Sequence, residues 1–166
     1  MVKIGVVLPT FTAAAYNFVH PNYYDWYNEY YSENSSPSGV TTDLANLTAA
    51  VPTTQAELHN HNIKYVPEAE KLYNHLLAAR PTDTISILTD IDIHNGAQVN
   101  YDILVIFHEE YVTQQIYNNF KSFVTTQGGV LVAMDGNIFF AQVSYDPSTH
   151  TATLVSGHYW QASNKL

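Results

Sequence analysis

Residues 101–137, YDILVIFHEEYVTQQIYNNFKSFVTTQGGVLVAMDGN, hold a strand, a helix and a second strand, with polar residues at both strand exits. Residues 102–107 form, after Asp102, a continuous apolar run, too uniform for a sheet with one wet face, and this is the pattern of a strand buried on both sides of a parallel sheet. The run stops at His108, Glu109 and Glu110. From Val112 the period changes: Val112, Ile116, Phe120, Phe123 and Val124 fall on one helical face, and Gln114, Gln115, Asn118 and Lys121 on the other. Thr113 suits the N-cap, and Gly128 a left-handed stop. Residues 129–134 then predict a second buried strand ending at Asp135, Gly136 and Asn137. Such crossovers are right-handed, and open parallel sheets bind ligands at the carboxyl ends of their strands. His108–Tyr111 and Asp135–Asn137 are thus expected to share one functional edge.

The rest of the chain supplies the sheet and its cover. Residues 2–8, VKIGVVL, read as the first and central strand, ended by Pro9; residues 9–18 read as its exit loop, with Thr10, Thr12, Tyr16 and Asn17 available to a site. Asn22 suits the N-cap of an aromatic helix in which Tyr23, Trp26, Tyr27, Tyr30 and Tyr31 recur at helical spacing. Such a stripe reads as packing, or as burial against a partner, before it reads as ligand stacking. Residues 32–54, rich in Ser, Thr, Asn and Pro, read as a long excursion, with a short helix possible over 41–50. His59 and His61 alternate as strand residues that could share a metal, although two surface histidines are the simpler reading. Pro67 opens a helix with the stripe Ala69, Leu72, Tyr73, Leu76 and Leu77, ending at Arg80 and Pro81. A strand follows at 84–88, and Asp90 and Asp92 at its exit read as turn or helix caps before they read as a carboxylate pair. Residues 138–145 and 151–156 flank a turn-rich link and predict a hairpin.

Composition narrows the chemistry. At 166 residues the chain reads as one domain able to bury a core without staples. It has no Cys, so thiol nucleophiles, zinc–cysteine sites and redox motifs are excluded. A net charge of −9 argues against nucleic acid and anionic membranes and leaves small neutral molecules, cations or metals as partners. No apolar run is long enough to insert into a membrane. The absence of a signal peptide points to the cytoplasm, whereas the Tyr, Asn and Thr content with few charges points to a secreted or cell-surface protein; Asn34 and Asn46 head sequons that matter only in the second case. At the turn after the last parallel strand, Ala133-Met134-Asp135-Gly136, the neighbours are small but no Ser or Cys is present, which disfavours covalent acyl transfer. The stronger cluster is His108-Glu109-Glu110-Tyr111. Adjacent extended residues point in opposite directions, so one of the two glutamates is expected to face the site while the other caps or is solvated; the helix dipole alone also favours carboxylates here.

The loop Pro-Thr-x-Thr-x-x-Ala-Tyr-Asn at 9–17, the His-x-Glu-Tyr exit at 108–111 and the Gly-Gly-x-Leu…Gly-Asn segment at 128–137, with FFAQVSYD and LVSGHYW, resemble the C-terminal domain of the N,N-dimethylformamidase large-subunit family. The resemblance covers most of the chain outside 32–54. It implies an α/β, flavodoxin-like three-layer sandwich similar to class I glutamine amidotransferases, with a mostly parallel sheet plus a C-terminal antiparallel hairpin. It also implies a mononuclear iron site with one Tyr and two Glu ligands, for which Tyr16 and Glu110 are the matching positions, iron or zinc acting as Lewis acid and His108 or Asp135 moving protons. No Glu follows Glu110, so Asp135, His108 or another subunit would complete the set. The expected function is a metal-dependent hydrolase of small amides with an incomplete site. The alternative is a non-catalytic, self-assembling protein that keeps the scaffold and associates through the Tyr23 to Tyr31 face; a sugar- or small-molecule-binding module is a third reading.

Overall fold

The computed structural model describes residues 1–15, 41–43, 65–157 and 160. Tyr16, the aromatic stripe from Tyr23 to Tyr31, both sequons, His59, His61 and all of the 32–54 excursion except 41–43 lie outside the described residues. In chain order the elements are β1 (Lys3–Leu8), α1 (Thr10–Ala15), β2 (Thr41–Asp43), α2 (Tyr65–Ala79), β3 (Thr84–Thr89), α3 (Asp90–His94), a 3₁₀ turn at Ala97–Asn100, β4 (Ile103–Ile106), β5 (Tyr111–Thr113), α4 (Gln114–Thr125), β6 (Val130–Ala133), β7 (Ala141–Asp146) and β8 (Thr151–Ser156).

Four strands form a parallel sheet in the order β3-β1-β4-β6, so β1 is central, as its apolar run predicts. Along β1 and β4 alternate residues serve opposite faces. Ile4, Val6 and Val105 pack with Ile85 and Phe107 beneath Ala69, Leu72 and Leu76 of α2. Val7, Leu104 and Ile106 pack with Leu88 against Ile116, Phe120 and Phe123 of α4. The result is the three-layer α/β arrangement, one helix layer on each face of a sheet whose strands are apolar in both directions. Two glycines permit the close approach. A Cβ on Gly5 would lie 2.8 Å from methyl carbons of Leu88 and of Leu104, and one on Gly129 would enter the Phe123 ring.

The polar punctuation falls as the sequence predicts. Thr113 caps α4, its hydroxyl accepting from the Ile116 N–H at 3.0 Å, and Gly128 takes φ +72° just beyond the helix. The hairpin also forms, but it does not extend the parallel sheet. β7 and β8 pair antiparallel, β7 pairs parallel with β5, and β8 pairs antiparallel with β2, making a second sheet in the order β2-β8-β7-β5. Tyr111 and Val112 therefore belong to a strand rather than to the helix, and residues 41–43 are strand, not helix.

Two expectations fail. The first exit loop is in part the short helix α1, five of whose six residues are buried. The strand β6 is not buried on both sides: Val130 is 53% exposed, Val132 37% and Met134 54%. It is the last strand in the sheet order, paired to β4 alone, and α4 covers its Leu131 side only.

Gly129→Ala is expected to destabilise the protein by about 1–3 kcal/mol, because the new methyl must displace a fully buried ring. Gly136→Ala, where a Cβ meets nothing within 4 Å, is expected to leave the midpoint of thermal or urea unfolding unchanged.

Candidate functional site

The site forms where β1, β3, β4 and β6 release the chain. β4 and β6 are in register with Ile106 opposite Ala133, and two residues further on both strands His108 meets Asp135. His108 Nδ1 lies 3.1 Å from Asp135 Oδ2, and His108 Nε2 lies 2.9 Å from Glu110 Oε2. One imidazole is thus held between two carboxylates. Glu110 is buried and His108 nearly so, whereas the Asp135 side chain is 35% exposed, so the cluster opens on the Asp135 side.

Backbone geometry explains how neighbours in sequence converge. His108 adopts φ +44°, the left-handed region that non-glycine residues enter at a cost of about 1–3 kcal/mol. The Glu110 N–H donates back to the His108 carbonyl at 2.8 Å, closing a tight bend. The hydroxyl of Thr12, on α1, accepts from the N–H groups of both Glu110 and Tyr111 at 3.1 Å. On the other side of the bend, the Phe139 N–H donates to the Glu109 carbonyl, and the N–H groups of Phe140 and Ala141 donate to that of Glu110. The left-handed residue at these strand exits is His108, and none of residues 133–136 has a positive φ.

Burial alone would favour the neutral form of His108, but hydrogen bonds to Glu110 and Asp135 and their charges outweigh it and raise its pKa above the ordinary 6.5. Asp135 moves the other way: its partial burial is outweighed by the Asn137 N–H and by His108, which hold the carboxyl below its ordinary range.

A second pair of acids lies deeper. Glu109 is as fully buried as Glu110 and caps nothing among the described residues, so the expectation that one of the two caps or is solvated fails. Neither Glu109 oxygen has a hydrogen-bond partner among the described residues, and burial together with the Asp90 charge drives its pKa well above the usual carboxylate range. Asp90, at the start of α3, is also fully buried; its Oδ2 accepts from the Phe11 N–H at 2.9 Å. Desolvation pushes Asp90 up to about 7. Its neighbour Asp92 is the N3 partner of the N-cap Thr89: the Asp92 carboxylate accepts the Thr89 N–H and the Thr89 hydroxyl accepts the Asp92 N–H, closing a capping box. Sequence reasoning had no way to tell the buried Asp from the capping one, and no local signal marks Glu109 as interior.

The exit thus brings together His108, Glu110 and Asp135 from the predicted set. Tyr16 is outside the described residues, so Glu110 is the one described member of the implied iron ligands. Among the described residues no group of three or more His, Asp or Glu side chains could hold a metal ion. One carboxylate, already engaged by His108, does not make a metal centre, so the described residues do not by themselves fit the implied iron.

Burial of Asp90 makes stability depend on pH. Below its ordinary pKa of 3.8, folded and unfolded chains both carry the proton; between 3.8 and about 7 the folded chain alone keeps it. Its contribution therefore declines as pH rises through that window. Urea unfolding at pH 4 to 5.5, below the range where His108 adds much slope of its own, is expected to show Asp90→Asn less weakened by rising pH than the unsubstituted protein.

No helix among the described residues is long and apolar enough to cross a membrane. No curated protein matches the chain. Residues 2–164, which take in the strand exits and both sheets, match the family described as N,N-dimethylformamidase beta subunit-like, C-terminal, and the chain belongs to that family.

Proposed function

We propose that this dimethylformamidase-like domain hydrolyses the C–N bond of small neutral amides, with His108 as the proton-transfer group. The observation that carries this reading is the His108 ring, one nitrogen 2.9 Å from buried Glu110 and the other, itself buried, 3.1 Å from the part-exposed carboxylate of Asp135. A buried carboxylate behind an imidazole orients it: Nε2–H donates to Glu110, so that in the neutral ring Nδ1 carries the lone pair that faces Asp135. The part-exposed Asp135 carboxylate takes a proton from water as the oxygen adds to the amide carbonyl carbon and passes it to Nδ1. The resulting imidazolium is held by Glu110 and Asp135. It then returns the proton to the amine nitrogen as the C–N bond breaks, releasing a carboxylic acid and an amine. No covalent intermediate is required, in keeping with the absence of Cys.

The test is release of dimethylamine from N,N-dimethylformamide and of ammonia from formamide by the purified protein, with and without added iron or zinc. His108→Ala and Glu110→Gln are each expected to lower turnover by about 10²–10⁴-fold, the usual worth of a placed acid–base group. Full turnover in both variants would remove His108 from the reaction.

The self-assembling alternative draws on a different observation, the apolar stripe of Val130, Val132 and Met134 along the outer strand β6. An exposed apolar edge is a template for pairing with a second strand. If it drives association, the protein elutes above monomer size and Val132→Lys returns it to monomer.

A further inference from the structure

We propose that Thr12 is the positioning residue of the His108–Glu110 pair, its hydroxyl fixing the bend that aims the imidazole; this rests on His108 being the working group of the site. Thr12 is fully buried although polar. It does not point into the opening, as its place in the first exit loop suggests, but turns into the fold. Its single oxygen accepts two consecutive backbone N–H groups, those of Glu110 and Tyr111. Two successive amides converge on one atom only where the chain is sharply bent, and the bend contains the left-handed His108 and the short Glu110 N–H to His108 carbonyl bond. A strained residue of this kind persists only while its surroundings over-determine it.

The helix that carries Thr12 is itself held from the far side. Asp90, at the exit of β3, accepts the Phe11 N–H, and the Ala13 N–H returns to the Pro9 carbonyl. One turn of helix is therefore pinned to the β3 exit through residue 11 and to the β4 exit through residue 12. Because β1 lies between β3 and β4, α1 is the tie between their exits. Without the Thr12 hydroxyl two buried amides lose this acceptor, the bend relaxes toward ordinary negative φ, and the ring swings off the line between Glu110 and Asp135.

The experiment compares Thr12→Val, which keeps the shape and removes the acceptor, with Thr12→Ser, which restores it, in the full chain. Amide hydrogen exchange and the ¹⁵N signals of the His108 imidazole are the readouts, and neither needs turnover. In Thr12→Val, exchange at Glu110 and Tyr111 is expected to quicken about tenfold or more relative to amides of β1 and β3, the scale of one lost hydrogen bond, and the imidazole signals are expected to move. Thr12→Ser is expected to bring both back. Unchanged signals in Thr12→Val, or an acceleration spread evenly over β1 and β3, overturns the proposal. Should the valine variant not fold, Thr12→Ala takes its place, with the same shifts expected and the same results overturning the proposal. Amide hydrolysis measured beside these readouts separates the two ideas: if His108→Ala is fully active while the Thr12 effects appear, the hydrolase reading fails and the positioning contact stands.

Discussion

The candidate site depends on one arrangement of charge, an imidazole between two carboxylates delivered by neighbouring parallel strands. Parallel pairing with Ile106 opposite Ala133 puts the residues two steps beyond each strand side by side, so His108 and Asp135 meet without any special loop. Glu110 reaches the opposite ring nitrogen only because the chain doubles back at His108. A lone buried carboxylate would be costly, and so would a lone buried imidazolium; each is made tolerable by the other. The left-handed backbone at His108 is the local cost of bringing them together, and Thr12 from α1 helps to hold it.

Behind this trio the two further acids set the electrostatic floor of the site. With both Asp90 and Glu109 ionised, the strand exits would hold four carboxylates around one imidazole in a dry region. Like charges at close quarters do not both ionise, and the raised pKa values of both groups mean that the deeper pair retains proton at neutral pH. Nearest the opening is then Asp135, backed by His108 and Glu110, while in the deeper layer Asp90 contributes a hydrogen bond to the Phe11 N–H and Glu109 contributes shape. On a chain of net charge −9, an opening edged by Asp135 suits a neutral ligand better than an anionic one.

The elements of the described residues were largely legible because their apolar periods are clean. The runs through β1, β3 and β4, the helical stripe of α2 and α4, the Thr113 cap and the hairpin all follow from local patterns. The exposure of β6 was not legible, since a Val-Leu-Val-Ala run reads the same at the centre and at the edge of a sheet, and strand order is set by tertiary packing. The same holds for the hairpin, whose partners β5 and β2 are short segments with no period of their own. In the site, His108, Glu110 and Asp135 were readable as polar residues following buried strands. Glu109 was misread for a definite reason: alternation holds only along extended backbone, and φ +44° at His108 breaks it, so both glutamates turn inward. Asp90 and Asp92 are two residues apart at a helix start, and only the capping-box geometry reveals which is spent on the cap.

Where the strained turn falls also bears on the kind of chemistry the scaffold can support. A sharp, left-handed exit after a buried strand lifts one side chain clear of the sheet, which in hydrolases with a strand-to-helix elbow serves to present a nucleophilic oxygen. Here that position holds a histidine, with φ +44°. An imidazole so placed is poor as the seat of a stable acyl intermediate but well suited to shuttle a proton between water and a departing amine, provided a carboxylate holds its far nitrogen. Glu110 meets that condition at 2.9 Å. The proposed acid–base reading rests on this left-handed exit and on the groups at the ends of β4 and β6, whereas a covalent route would need a thiol that the chain lacks or a serine that the 133–136 turn lacks.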